Sequence, residues 1–589
     1  MENQRNIILA IVLSGIILFG WPYAMDYFYP APPEAIEKSI ESPRPGLDNA
    51  NAVPDAGTRP AAIRERSAVI AESGRVAIAA PRVKGSINLT GARIDDLTLT
   101  DYREELDKDS PPVHLLSPAG TEDQYYAQFG WIGEGIDAPD SSTVWTADGT
   151  SLTTDKPVTL SWSNAAGQKF EIEFAIDRNY LVTATQRFTN GAEGQVAVRP
   201  FALISRTSAN ADPSTWTVRN GPLGVFDEAA NFDNGYEELD EAGKKPVNFE
   251  GNVGWLGFAD HYWLSALIPQ GKDAAKASGS FRALGDSLYR ADLIYPAEII
   301  GNGASASQST LLFAGAKETE LLDNYVDERK IPLLDRAVDW GWFIWFEKPI
   351  FKLLNWLFQQ VGNFGVAIIL LTVIIRGLMF PIAQRQFKSM AQMRAVQPKM
   401  KKLQERYKDD KPRLQQEMMK LYKDEKVNPL AGCLPIFLQI PIFFALYKVL
   451  LLSIEMRHQP FALWIKDLSA PDPLTPVNLF GLLPFDPPSF IALGILPIIL
   501  GITMWLQFRL NPAPMDPVQQ QVFSIMPWML MFVMAPFAAG LQLYWAVSNI
   551  LTIAQQKWLY SRHPQLKEMM AKEAEEKARK REAEAQGKA

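Results

Sequence analysis

Arg376 stands inside LLTVIIRGLMFP (residues 370–381), an apolar run with the composition of a membrane-spanning helix. A guanidinium is always charged, and placing one in hydrocarbon costs about 2.5–3.5 kcal/mol on insertion scales. Thr372 lies four residues earlier, on the same helix face. Further polar side chains interrupt the apolar runs downstream. Gln439 sits between Pro435 and Pro441, and Gln542, Asn549 and Gln556 recur every seven residues with Thr552 beside them. Polar groups at membrane depth face protein or a water-filled cavity, so these residues describe a polar cavity among helices. An apolar counterpart follows in Met526, Trp528, Met529, Met531 and Met534, since methionine-rich surfaces adapt to varied apolar partners. Two simpler readings compete. Arg376 lies roughly 8 Å from the helix end at Pro381 and can snorkel to headgroups, and each other polar residue can serve ordinary helix packing.

Other chemistry is excluded. Cys433 is the single cysteine, so no internal disulfide and no thiol metal site can form. The four histidines are scattered, none in an H-E-x-x-H pattern, and no G-x-x-x-x-G-K-[ST] phosphate loop occurs. Neither an enzyme nor a cofactor or metal requirement is expected. Asp260-His261-Tyr262, in GWLGFADHYWLSALIP, has a strand-like setting with no nucleophile pattern and reads as structural.

The elements that must position these residues divide the chain by charge. Residues 31–330 carry 44 acidic and 27 basic side chains, the remainder 22 and 31. The basic excess therefore accompanies the apolar segments, as cationic loops flanking membrane spans would require, and no DNA partner is expected. Residues 1–29 read as a first membrane anchor with aromatic residues at its exit, and 30–80 as a flexible Pro/Ala/Glu-rich linker. From 81 to 330 short alternating runs such as KFEIEFAID and YLVTATQRFTN, punctuated by Asn-Gly and Asp-Gly turns, predict an all-β sandwich domain. Residues 338–361 mix tryptophans with lysines and suit an interfacial amphipathic helix.

Five apolar segments follow, at 363–383, 429–452, 490–508, 523–540 and 541–560, making six spans with the first. The 384–427 insert carries 13 Lys/Arg. The positive-inside rule puts it and the basic 561–589 tail in the cytoplasm, hence both termini inside and the β domain outside. Within the insert, Met393, Val396, Met400, Leu403 and Tyr407 form an a/d seam that resumes after DDKPR with Leu414, Met418 and Leu421, a helical hairpin. Its basic residues, among them Arg394, Lys399, Lys401, Lys402 and Arg406, are either a solvated face or a docking surface for ribosomal RNA, anionic lipid or a targeting factor.

RGLMFP, the string KVNPLAGCLPIFLQIPIFFALYK, RHQPFALWIKDLSAPDP and LYWAVSNILTIAQQ resemble the YidC membrane-protein insertases of Gram-negative bacteria, over about residues 340–562. The resemblance implies five core spans around a hydrophilic groove and a periplasmic β-supersandwich over 81–330. It also implies insertion of nascent membrane proteins into the inner membrane, alone or with the Sec translocon and its SecD and SecF subunits. The ribosome, the signal-recognition-particle receptor and lipids are the further partners it implies. Arg376 matches the family's groove arginine, and Thr372 and Gln439 match polar groove positions. Tyr544, Trp545, Asn549, Met526, Met529 and Met534 complete the expected substrate-contacting set. Relatives often carry two adjacent tyrosines where this chain reads Tyr544-Trp545, so the second hydroxyl is absent here. A secondary transporter or channel using Arg376 as ligand, and a membrane-anchored carbohydrate-binding sensor, are the alternatives.

Overall fold

The computed structural model describes residues 63–562 apart from 108, 209–217, 219, 233–234, 244, 250–251, 408–409, 426–433, 481, 484–492 and 511–516. The expected first anchor (1–29) and nearly all of the basic tail lie outside the described residues.

Two sheets build the β domain. Among the described residues one has 11 strands, with Val196–Thr207, Tyr125–Glu134 and Arg93–Arg103 at its middle; the other has nine, centred on Trp263–Pro269, Ser305–Ala316 and Leu181–Thr189. Their alternation follows the sequence. In Lys169–Ile176 the residues Phe170, Ile172, Phe174 and Ile176 are buried while their neighbours face out. Trp131 of the first sheet meets Phe170 of the second edge-on at 5.2 Å, and Phe129 meets Phe174 at 5.7 Å. Full burial of each such ring stabilises the sandwich by about 1.5–3 kcal/mol. The domain starts earlier than its expected edge at 81. Helix α1 (Arg66–Ala71) and strand Arg75–Ala79 fall within the stretch read as linker. The reason is a short alternation, Val76 and Ile78, both buried, that pairs with Val83–Asn88.

After α2 (Tyr236–Ala242), a short excursion between strands, α3 (Thr319–Glu328) leads out of the sandwich to α4 (Ile344–Val361). Helix α4 leaves Trp345 and Trp356 exposed, at 68% and 54%, and turns Glu347 and Asn355 inward. Its lysines do not point to solvent alone. Lys348 bonds Asp323 at 2.6 Å and Asp335 at 2.9 Å, and Lys352 lies 3.3 Å from Asp323, tying the helix to α3.

The next helix, α5 (Phe364–Arg406), runs 43 residues without a break through Pro381 and Pro398. The expected span 363–383 and the first arm of the 384–427 insert are thus one rod. Proline is tolerated where neighbouring groups re-satisfy the freed backbone. Asn363 caps it, accepting from Val366 N–H at 3.1 Å and donating to Phe461 O at 2.8 Å. Phe461 also lies on Gly365, where any side chain would collide with its ring. Val396 and Met400 of α5 are buried against Met418, Leu421 and Tyr422 of α6 (Lys411–Asp424). Helices α7 (Leu434–Leu452), α8 (Ile495–Leu510), α9 (Pro517–Met534) and α10 (Ala539–Arg562) complete the membrane part. Among the described residues, Phe364–Gln384 is the one stretch both long and apolar enough to cross a membrane, with shorter apolar helices at Gln439–Leu452, Ile495–Leu510 and Gln521–Met534.

Polar contacts latch the β domain to the segment after α7. Arg457 donates to Arg103 O at 2.7 Å and Glu104 O at 3.0 Å and lies over the Tyr262 and Trp263 rings. His261 donates from Nε2 to Leu451 O at 2.8 Å, so Asp260-His261-Tyr262 is a structural turn. Glu455 accepts from Thr319 N–H, at the start of α3, at 3.1 Å and from Ser453 Oγ at 2.9 Å. Loss of hydration pushes the Glu455 carboxyl up to about 7 and the His261 imidazole down to about 4. The two act with opposite sign. Folded Glu455 holds its proton above the unfolded value of 4.5, so its contribution to stability falls as pH rises from there to about 7. Folded His261 refuses a proton that the unfolded chain takes, so its contribution falls as pH drops from 6.5 to about 4. Glu455→Gln is therefore expected to gain on the native chain across pH 4.5–7, by on the order of 3 kcal/mol at most. Thermal unfolding at several pH values checks this; parallel profiles for the two proteins would rule it out.

Candidate hydrophilic groove

Arg376 lies on α5 where that helix packs against α10, and it is half-buried. Its Nε donates to Ser548 Oγ at 3.0 Å, and Nη2 bonds the same oxygen. Among the described residues no carboxylate comes within ion-pairing distance of it. Ser548 is 2% exposed, so a full charge is held by a neutral hydroxyl at a site walled by helices. Such a charge is under-compensated, because a hydroxyl returns only part of the hydration lost on burial.

One turn earlier on α10, Tyr544 is buried and its hydroxyl accepts from Gln439 Nε2 of α7 at 2.9 Å. Arg376, Ser548, Tyr544 and Gln439 thus join three helices in one polar patch. Ser548 escaped the sequence reading, which followed the seven-residue stripe. A signal was present, since Tyr544, Ser548 and Thr552 are spaced by four and share a face.

The other expected residues part company. Thr372 is buried and its hydroxyl donates to Ile368 O at 2.6 Å, within its own helix. A hydroxyl so engaged is not a free groove donor. Asn549 is buried and turns to α8, donating to Thr503 Oγ1 at 3.2 Å. Gln542, fully buried, donates through Nε2 to Met534 O at 2.9 Å, Ala535 O at 3.3 Å and Phe537 O at 2.7 Å, closing the turn between α9 and α10. Trp545 is half-buried, its ring 4.9 Å from Phe443.

The methionines do not form one wall. Met531 and Met534 are buried, Met531 against Gly501 of α8, whereas Met529 is 54% exposed and Met526 half-buried. At 3.6 residues per turn, 526 and 529 share one face of α9 and 531 and 534 roughly the opposite one. The pliable outer surface therefore reduces to Met526 and Met529, while Trp528, also exposed, stands about 100° round the helix from Met529.

On the hairpin, Lys399 pairs with Glu425 at 2.5 Å, while Lys402 and Arg406 are exposed, Arg406 beside the Tyr407 ring. The side chains of Arg394 and Lys401 lie outside the described residues.

Two family models match the chain, that of the 60Kd inner membrane protein over residues 356–567 and that of the YidC periplasmic domain over 75–353. A Zymomonas mobilis protein named membrane protein insertase YidC is 46% identical over 562 residues, which cover 95% of this chain and 96% of that protein. One of the same name from Bradyrhizobium diazoefficiens is 42% identical over 604 residues, covering 96% and 97%. A solved active YidC insertase, with its first transmembrane domain resolved, aligns over 82% of this chain and 92% of its own at 17% identity and a TM-score of 0.35.

Proposed function

The chain belongs to the YidC family of membrane protein insertases, and from that premise we propose that Arg376 is the cation that receives acidic flanks of incoming segments. As a member, the protein is a non-enzymatic insertase of the bacterial inner membrane with a β-rich periplasmic domain. One observation carries the finer reading: the half-buried guanidinium of Arg376 is held by the Ser548 hydroxyl without a carboxylate of its own among the described residues.

A nascent segment must carry its polar flank through hydrocarbon before its apolar stretch gains by entering lipid. A carboxylate on that flank exchanges for Ser548 at Arg376 and makes a charge-assisted bond. Gln439, Tyr544 and Trp545 continue the polar side, and Met526 and Met529 offer the apolar segment an adaptable exit surface. No nucleotide is needed once the flank's barrier falls. The membrane potential adds about 2.3 kcal/mol per charge per 100 mV for acidic flanks moving outward. The full arrangement is six spans with both termini cytoplasmic, and the substrates are nascent membrane proteins. The ribosome docks on the hairpin face bearing Lys402 and Arg406, and the Sec translocon with SecD and SecF, the signal-recognition-particle receptor and lipids are further partners.

Photo-crosslinkers at Gln439, Trp545 and Met529, challenged with stalled ribosome–nascent-chain complexes in inverted vesicles, test this. Labelling of the apolar nascent segment is expected at all three positions, and retention of the complexes is expected to fall several-fold when Lys402 and Arg406 are changed to Glu. Labelling equal to that of an exposed position in the β domain would dismiss the groove, and unchanged retention the docking face.

A further inference from the structure

The segment that joins α7 to α8 is folded with its polar side chains inward. Among the described residues between 460 and 483, Asp467, Asp472, Thr475 and Asn478 are all buried. Each exposed side chain there except Lys466 is apolar, the large ones being Leu463, Val477, Leu479, Phe480, Leu482 and Leu483. Leu463 and Leu482 are 88% and 81% exposed. A loop in water shows the reverse pattern, and a cluster of bare apolar side chains marks a surface that something apolar covers.

Buried polar groups close the turns from within. Asp472 accepts from Trp464 Nε1 at 2.9 Å, from Leu474 N–H at 3.1 Å and from Leu496 N–H, in the first turn of α8, at 2.7 Å. Asp467 takes both the N–H and the hydroxyl of Ser469. Phe480 N–H reaches Thr475 O at 2.9 Å, and Leu483 N–H reaches Asn478 O at 3.1 Å. Leu463, Leu479 and Phe480 stand at φ of 57°, 50° and 60°, left-handed conformations that bulky side chains rarely accept. Such backbone persists only where its surroundings hold it, so the turns impose the outward aim of these three side chains.

The inner side of the segment fixes its level. Ala539 and Gly540 N–H, at the start of α10, donate to Ala470 O at 2.8 Å and Leu468 O at 2.9 Å. Phe461 lies on Gly365 at the start of α5. The segment therefore crosses the ends of α5, α8 and α10 on the side of the β domain, which Arg457 and Leu451 meet just before it. This is the level at which hydrocarbon gives way to headgroups.

We propose that this loop is seated in the lipid leaflet on the β-domain side, with its apolar side chains among the acyl chains just below the headgroups and Lys466 at the phosphates. The turns bond their own N–H groups, so the apolar tips enter the acyl boundary at little polar cost. A protein interface carries a polar rim. Here the single exposed charge among the described residues of the loop is Lys466, whose stem is long enough to carry the ammonium to lipid phosphate.

Nitroxide labels at Leu463→Cys and Leu482→Cys, in the full chain with Cys433→Ser, test the seat by power-saturation EPR in phosphatidylcholine–phosphatidylglycerol nanodiscs. Val144→Cys, exposed on the β domain, is the aqueous reference. All three sites are exposed, so the labels displace no packing. The ratio of collision with oxygen to collision with a water-soluble nickel chelate is expected to be at least fivefold higher at 463 and 482 than at 144. A ratio at either position equal to that at 144 would place the loop in water and overturn the proposal. Low collision with both reagents would mean that a protein covers the loop, a second copy or another chain, and would overturn it as well.

Discussion

Arg376→Ala is expected to lower insertion of single-span substrates with acidic translocated flanks by about 10- to 100-fold. Substrates with neutral flanks should insert nearly normally. The range follows from a hydrogen bond to a charged group, worth about 1.5–3 kcal/mol, at 1.4 kcal/mol per factor of ten. Arg376→Lys is expected to recover only part of the loss. An ammonium keeps the charge but not the planar fork through which Nε and Nη2 both address Ser548. Proteoliposome insertion with paired acidic and neutral substrates reads the effect as an interaction between variant and flank. Normal insertion of acidic substrates by both variants would remove the pairing role.

Gln542→Leu should damage the membrane part itself. The substitution is nearly volume-conserving, yet it takes the fully buried Gln542 donor away from Met534 O, Ala535 O and Phe537 O, of which, among the described residues, Met534 O alone keeps a second donor, the Phe537 N–H. Buried carbonyls without partners cost about 1–3 kcal/mol each. A loss of about 2–4 kcal/mol is expected, seen as earlier unfolding in mixed micelles by tryptophan fluorescence and as poor recovery of the protein. Gln542→Glu should be no better, since it replaces an amide donor with an acceptor facing acceptors. Unfolding at the native detergent fraction would show the turn to be held by packing alone.

How far the sequence disclosed this molecule depends on the period of each signal. Strand alternation such as Phe170-Ile172-Phe174-Ile176 lies within one short segment, and the β domain could be read from it. Arg376 announced itself because a charge in an apolar run is rare. Partners are another matter, for they depend on which helix turns to which. Gln542 and Asn549 share a stripe with Gln556 on paper, but α9 and α8 claim the first two for packing. Ser548 looked unremarkable until α5 was set beside α10. The methionines were counted by composition, and only helix phase separates Met526 and Met529 from Met531 and Met534. Lys348 and Lys352 resembled headgroup contacts until Asp323 and Asp335 met them.

Helix α5 has a mechanical consequence. Arg376 and Val396 are 20 residues apart on one unbroken rod, roughly 30 Å along its axis. A rod of this kind transmits torsion. If a load on the hairpin seam at Val396 and Met400 rolls it through a small angle, Arg376 swings through the same angle, toward Ser548 or away from it. The hairpin seam at one end and the guanidinium at the other thereby share a single rotational coordinate.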